Sequence, residues 1–108
     1  MANSFKNYFL KNANTVSQNV YAAGAGVQAT VIGMTIANVT DAPISANVTI
    51  TSGGTSYFMV KGATIASGGS LVPVGGDQKL VLEATDYLQV QTSAADSADV
   101  ILSVLEIT

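Results

Sequence analysis

In VIGMTIANV, Ile32, Met34 and Ile36 share one parity with Asn38, while Thr35 and Ala37 take the other. The same period of two runs through ANVTITS, where Val48 and Ile50 alternate with Asn47, Thr49 and Thr51. It returns in KLVLE, with Leu80 and Leu82 set against Lys79, Val81 and Glu83. In YLQVQT, Leu88 and Val90 alternate with Tyr87, Gln89 and Gln91. Successive side chains of a strand point to opposite faces, so this spacing predicts strands buried on one side. Turn clusters separate them: GAG at 24–26, TDAP at 40–43, SGGTS at 52–56, SGGS at 67–70, GGDQ at 75–78, ATD at 84–86 and SAADSAD at 93–99. Asp86 of the ATD turn is placed to hydrogen-bond its own local backbone. About eight short strands at turn spacings near ten residues predict an all-β fold, a single antiparallel β-sandwich or jelly roll.

Two segments depart from simple alternation. In VILSVLEIT, Val100, Leu102 and Val104 lie on one face and Ile101, Leu105 and Ile107 on the other. A strand apolar on both faces is covered on both, by a second layer of its own chain or by a neighbouring copy. The N-terminal segment carries Phe5, Tyr8, Phe9 and Leu10, and Phe5, Tyr8 and Phe9 fit the i, i+3, i+4 stripe of a helix. Residues 1–12 are therefore expected as an N-terminal arm or short helix, and 13–108 as the sandwich. The arm either caps its own domain or docks on a neighbour. Lys6 and Lys11 give it positive charge suited to an acidic groove on a partner.

Charge content sharpens the picture. Only 10% of residues are charged, against about 25% in an average soluble domain. Residues 12–40, 42–60 and 62–76 carry no charge at all. A surface so poor in charge is a poor surface for a free monomer, which predicts that copies of the chain or a larger assembly cover much of it. Self-association through the terminal strand is expected, with a trimer favoured. The run VYAAGAGVQATVIGMTIANV has the length of a membrane span, but Gly, Gln, Thr and Asn interrupt it and β-branched residues crowd it, so no membrane helix is expected. The opening MANSFKNYFLKNA lacks the apolar run of a signal peptide, and an intracellular product is expected. The few charges are uneven: residues 73–108 hold Lys79 against Asp77, Glu83, Asp86, Asp96, Asp99 and Glu106. This reads as a solvated acidic face, and nucleic acid, which needs a basic patch, is not an expected partner.

Candidate chemistry is thin. The chain has no cysteine and no histidine, which removes disulfides, thiolate chemistry and histidine-based triads. GAGVQA at 24–29 fits G-x-G-x-x-A with Asp41 downstream, but that motif holds a pyrophosphate only where the glycine turn opens a helix. Here it opens a β-branched alternating run, so a tight turn is expected and no cofactor. Glu83 with Asp86, and Asp96 with Asp99, are the candidate carboxylate pairs. All lie in turns, where water leaves them ordinary rather than poised for acid–base work. Asp77, Asp96 and Asp99 lack the spacing of a calcium loop. No metal, no cofactor and no enzymatic activity are expected.

One resemblance covers most of the chain. MANSFKN, VIGMTIANVT and the run from YFMVKGATIASGGSLVPVGGDQKLVLE through DYLQV to SADVILSVLEIT resemble small virion structural proteins of tailed bacteriophages. The resemblance implies a non-enzymatic virion component present in many copies, a cement or decoration protein of the head that contacts the major capsid protein and itself. Neck or tail components of the same particle are the alternative it implies, and a receptor- or carbohydrate-binding β-sandwich is a more distant one. It supplies no functional residues one by one. The residues expected at an interface come from the patterning alone: Phe5, Lys6, Tyr8, Phe9, Leu10 and Lys11 of the arm, with Ile101, Leu105 and Ile107 of the last strand.

Overall fold

The computed structural model describes residues 3–75 and 79–108. Its nine strands are β1 (Asn3–Ala13), β2 (Gln18–Ala22), β3 (Gln28–Asn38), β4 (Ile44–Ser52), β5 (Thr55–Ile65), β6 (Ser70–Val74), β7 (Leu80–Leu82), β8 (Tyr87–Thr92) and β9 (Ala98–Ile107). One sheet has the order β1-β9-β3-β6, with β7 also on β3, and the other the order β2-β8-β4-β5. Strands β6 and β7 meet β3 at Met34–Ala37 and Ala29–Val31 respectively, one after the other along the same edge. They fill one strand position, so nine strands occupy the eight positions of a two-sheet jelly roll. Apart from the β4–β5 hairpin and the β6–β7 step, successive strands change sheet, which wraps the chain around its own core.

The core is aliphatic because the inner parity is aliphatic. Val31, Met34, Ile36, Val74, Leu82, Val100, Leu102 and Val104 of the first sheet face Ile44, Ala46, Val48, Ile65, Leu88 and Val90 of the second, all buried. Interdigitated inner faces of this kind hold two sheets about 10 Å apart. Tyr21 is the single aromatic among the buried residues described.

Local chemistry sets the register. Gly53 and Gly54 join β4 to β5 between the paired Ser52 and Thr55, with φ of 60° and 82°. That two-residue turn with both φ positive matches the twist of the strands it joins, and glycine enters it without a Cβ clash. Asn38, at the inner end of β3, is buried and works as a clasp. Its Nδ2 donates to the carbonyls of Ala42 and Ile65 at 2.9 and 3.0 Å, while its Oδ1 accepts the Thr40 amide at 2.9 Å. The GAG segment is a turn in which the Val27 amide donates to Gly24 O, and it opens strand β3. Asp86 reaches back within its own turn to accept the Glu83 amide at 3.0 Å. Of the expected GGDQ turn, Gly76 to Gln78 lie outside the described residues.

Two expectations are corrected. The N-terminal segment is strand β1, paired antiparallel with β9 from Asn3↔Ile107 to Ala13↔Ala98. Its aromatics fall at helical spacing, but the backbone groups are paired across the ladder, and Tyr8 and Leu10 pack toward the core. In β3 the register shifts between Val31 and Gly33, which pair with Val104 and Ser103. Ile32 is the extra residue, so Ala29 and Val31 point inward and Ile32 leaves the face that Met34 and Ile36 keep.

Candidate interaction surface

Strand pairing places the expected interface residues on two different sides of the first sheet. In the β1–β9 ladder Phe5 lies opposite Leu105, Phe9 opposite Ile101 and Asn3 opposite Ile107. These alternate with Lys6, Tyr8 and Leu10, which lie opposite Val104, Leu102 and Val100 on the core side. Phe5, Phe9, Ile101, Leu105 and Ile107 therefore share the outer face, whereas Lys6, Tyr8 and Leu10 do not. Strand β3 extends the outer rows with Thr30 opposite Leu105 and Thr35 opposite Ile101, and Val81 of β7 stands beside Thr30. Phe5 is 77% exposed, Phe9 68%, Val81 63%, Val72 58% and Ile101 49%. Phe5, Phe9, Val81 and Ile101, four of the nine large apolar side chains exposed among the described residues, are gathered on one face by the strand pairing. The outer side of the doubly apolar β9 is thus open in the single chain. A contiguous exposed apolar face of this kind is a candidate interaction surface.

The inward residues build a polar clamp that the alternation of β9 foretells, since Glu106 has the same parity as Val100, Leu102 and Val104. The Tyr21 hydroxyl donates to Glu106 Oε2 at 2.6 Å and the Tyr8 hydroxyl to the same oxygen at 2.9 Å. Lys6 Nζ lies 3.1 Å from Glu106 Oε1. The two tyrosine rings pack with centroids 4.7 Å apart. Tyr21 belongs to the second sheet and Tyr8, Lys6 and Glu106 to the first, so one carboxylate ties both sheets and the edge strand together. The Tyr21 hydroxyl does most to hold the Glu106 carboxyl below the usual carboxylate range, against its burial, and Lys6 and Tyr8 add to it. Burial first, and then the carboxylate, pushes Tyr21 and Tyr8 above the ordinary tyrosine value. The hydrogen bond to Glu106 raises Lys6.

Lys11 is also partnered within the chain. Its Nζ meets Asp99 Oδ2 at 3.0 Å, and the Asn12 amide donates to Asp99 Oδ1 at 3.2 Å. The lysine comes first and the amide second in holding the Asp99 carboxyl below its ordinary value. The positive charge expected to meet an acidic groove is therefore answered internally at both lysines. Asp99 is therefore paired within its own sheet, and Asp77 of the same candidate set lies outside the described residues. Among the described residues no group of three His, Cys, Asp or Glu side chains is placed to hold a metal ion. A surface depression is lined, among the described residues, by Gly26, Gln28, Glu83, Ala84, Ile107 and Thr108, with Glu83 as its one acidic side chain. No helix of the structure is long and apolar enough to cross a membrane.

No protein-family profile matches this chain, and no curated protein sequence matches it. Solved structures do. A chain from Bacillus endospore appendages, described as a family of disulfide-linked pili, superposes with a TM-score of 0.59 at 16% identity, over 98% of this chain and 88% of that one. A chain of the T13 viral particle of IBDV superposes with a TM-score of 0.56 at 14% identity, over 96% of this chain. This chain spans 30% of that viral chain. At such identities the likeness is one of fold: an all-β sandwich built as these two are.

Proposed function

We propose that this chain is a non-enzymatic structural protein of a tailed-phage virion, a cement or decoration protein that stabilises the head through contacts with the major capsid protein and with copies of itself. The observation that carries this reading is the outer face of β1, β9 and β3, where apolar side chains stand exposed on a chain with only 10% charged residues. Such a surface is stable once covered, and burial at roughly 25 cal/mol per Å² joins neighbours without dedicated chemistry. The sequence resemblance to small virion proteins points the same way. The two fold neighbours, one from a pilus and one from a viral particle, are both parts of repetitive assemblies. Unlike the disulfide-linked pili, this chain has no cysteine, so no disulfide joins it to a neighbour.

An electron-microscopy map of the intact virion tests the reading. Density for a small two-sheet sandwich repeated over the head is the expected result. The same density confined to the neck or tail assigns the protein there and overturns the cement role, and absence from the particle overturns the virion role altogether.

A further inference from the structure

We infer that the outer face of the first sheet is covered by the same face of a second copy of this chain, two sandwiches stacked sheet on sheet about a two-fold axis. The inference rests on the structural reading above for its premise that the face is covered, and it names the partner.

Shape is the first ground. The outer face has two apolar ridges that run across the strands, Phe5–Leu105–Thr30–Val81 and Phe9–Ile101–Thr35. Between them lies a lower row, Asn7–Ser103–Gly33, in which the Ser103 hydroxyl donates to Asn7 Oδ1 at 2.8 Å. Four residues separate the ridges along β1, roughly 13 Å at strand rise. A face of ridge, trough and ridge is its own complement: the ridge of one copy seats in the trough of the other. Depressions on the surface lie where this requires, one lined by Phe5, Lys6, Asn7, Ile32, Ser103 and Val104, another by Phe9, Leu10, Lys11, Asp99, Val100 and Ile101.

Area and charge are the second and third grounds. Four strand positions of about ten residues cover roughly 19 by 33 Å, or about 600 Å² per copy and about 1,200 Å² for a pair. That reaches the lower bound of a stable specific interface. The rows named above carry no ionisable side chain. Lys11 and Asp99 border them and pair with each other at 3.0 Å. The apolar rows themselves select neither an acidic nor a basic partner, and a copy presenting the same face brings a Lys11 and an Asp99 already paired with each other instead of a net charge. The trimer expected from the terminal strand would need two different patches on each copy. A single self-complementary patch closes at two.

The test uses the full chain. Sedimentation equilibrium at micromolar concentration should give twice the 11.0 kDa chain mass. Ile101→Asp and Phe9→Ser, both on the outer face, should keep the β-sheet circular dichroism and halve the sedimenting mass. Because the chain has no cysteine, Ser103→Cys should cross-link into a single dimer with a bis-maleimide that spans the roughly 10 Å between stacked sheets, while Thr49→Cys on the opposite sheet should form none at the same concentration. A wild-type monomer, a trimer, or equal cross-linking from both cysteines would overturn the inference, and the cysteine pair decides the matter even if the Asp variant unfolds. Cosedimentation with particles lacking this protein separates the two proposals. A dimer that fails to bind particles removes the virion reading and leaves the face assignment. A wild-type monomer that binds particles and loses binding with Ile101→Asp does the reverse.

Discussion

Tyr21 and Glu106 meet at 2.6 Å across the gap between the sheets, the tyrosine hydroxyl donating to a carboxylate oxygen that also takes the hydroxyl of Tyr8. A hydrogen bond to a charged acceptor is worth about 1.5–3 kcal/mol net, and a buried hydroxyl left without its partner costs about 1–3 kcal/mol. Tyr21→Phe removes the donor and keeps the ring, so it should lower the urea unfolding free energy by about 1.5–3 kcal/mol. Glu106→Ala should cost more, because it strands two tyrosine hydroxyls and Lys6 together. A double-mutant cycle should show the two changes to be non-additive. Additive losses would mean that the bond contributes nothing of its own.

The clamp also sets the pH range of stability. Glu106 titrates below its ordinary value near 4.5 in the folded chain. Its contribution is therefore complete above that value and lost as pH falls through the folded one. Tyr21 and Tyr8 titrate above the ordinary 10.0, so their contribution is complete below pH 10 and lost as pH rises through the folded values. Urea midpoints measured from pH 2 to 11 should form a plateau with a fall at each end. Glu106→Gln should lower the plateau and flatten the acid fall, while the alkaline fall, driven first by burial of the tyrosines, should shrink only in part. An acid limb unchanged in that variant would assign acid unfolding to other carboxylates, with Asp99 beside Lys11 the first to examine.

Asn38 makes the next prediction. Its amide satisfies backbone carbonyls of Ala42 and Ile65 and its oxygen accepts from Thr40, so three chain segments depend on one buried side chain. Asn38→Ala leaves those groups without partners and should cost about 2–4 kcal/mol by thermal or urea unfolding. Asn38→Asp keeps the acceptor but puts a carboxylate against two carbonyls, and should be at least as damaging at pH 7. A loss under 0.5 kcal/mol in both would show that water replaces the clasp.

The fold was legible where one face of a strand meets the core. Leu80 and Leu82, Leu88 and Val90, and Val100, Leu102 and Val104 all point inward as their parity requires. Edge strand β1 was not legible, because its inner side is shared between the core, which Tyr8 and Leu10 pack against, and a polar clamp. Lys6, Tyr8 and Leu10 make a mixed inner row, and the aromatics around them fall by chance at helical spacing. The bulge at Ile32 was hidden for a different reason: one extra residue flips parity without changing composition. Glu106 was the available but unused signal, a carboxylate at an inner position of an apolar strand. The exposed apolar face was half legible. Ile101, Leu105 and Ile107 announce it, but only the antiparallel register brings Phe5 and Phe9 beside them.

That register decides the fate of a shortened chain. Were residues 1–12 a free arm, a truncation starting at Ala13 would fold unchanged. In the structure the same cut removes β1 and unpairs the edge of β9 from Val100 to Ile107. It also uncovers the core side that Tyr8 and Leu10 pack against, and takes two of the three donors from Glu106. A ten-residue strand, apolar on both faces, would then stand as a bare edge, which is a template for pairing with other chains. The truncated chain should lose several kcal/mol of stability and aggregate on purification, as read by urea melts and light scattering. A peptide of residues 1–12 added in excess should restore solubility by refilling the edge. A truncated chain that stays soluble and as stable as the intact one would show that β1 contributes little to the sandwich and is free to pair elsewhere.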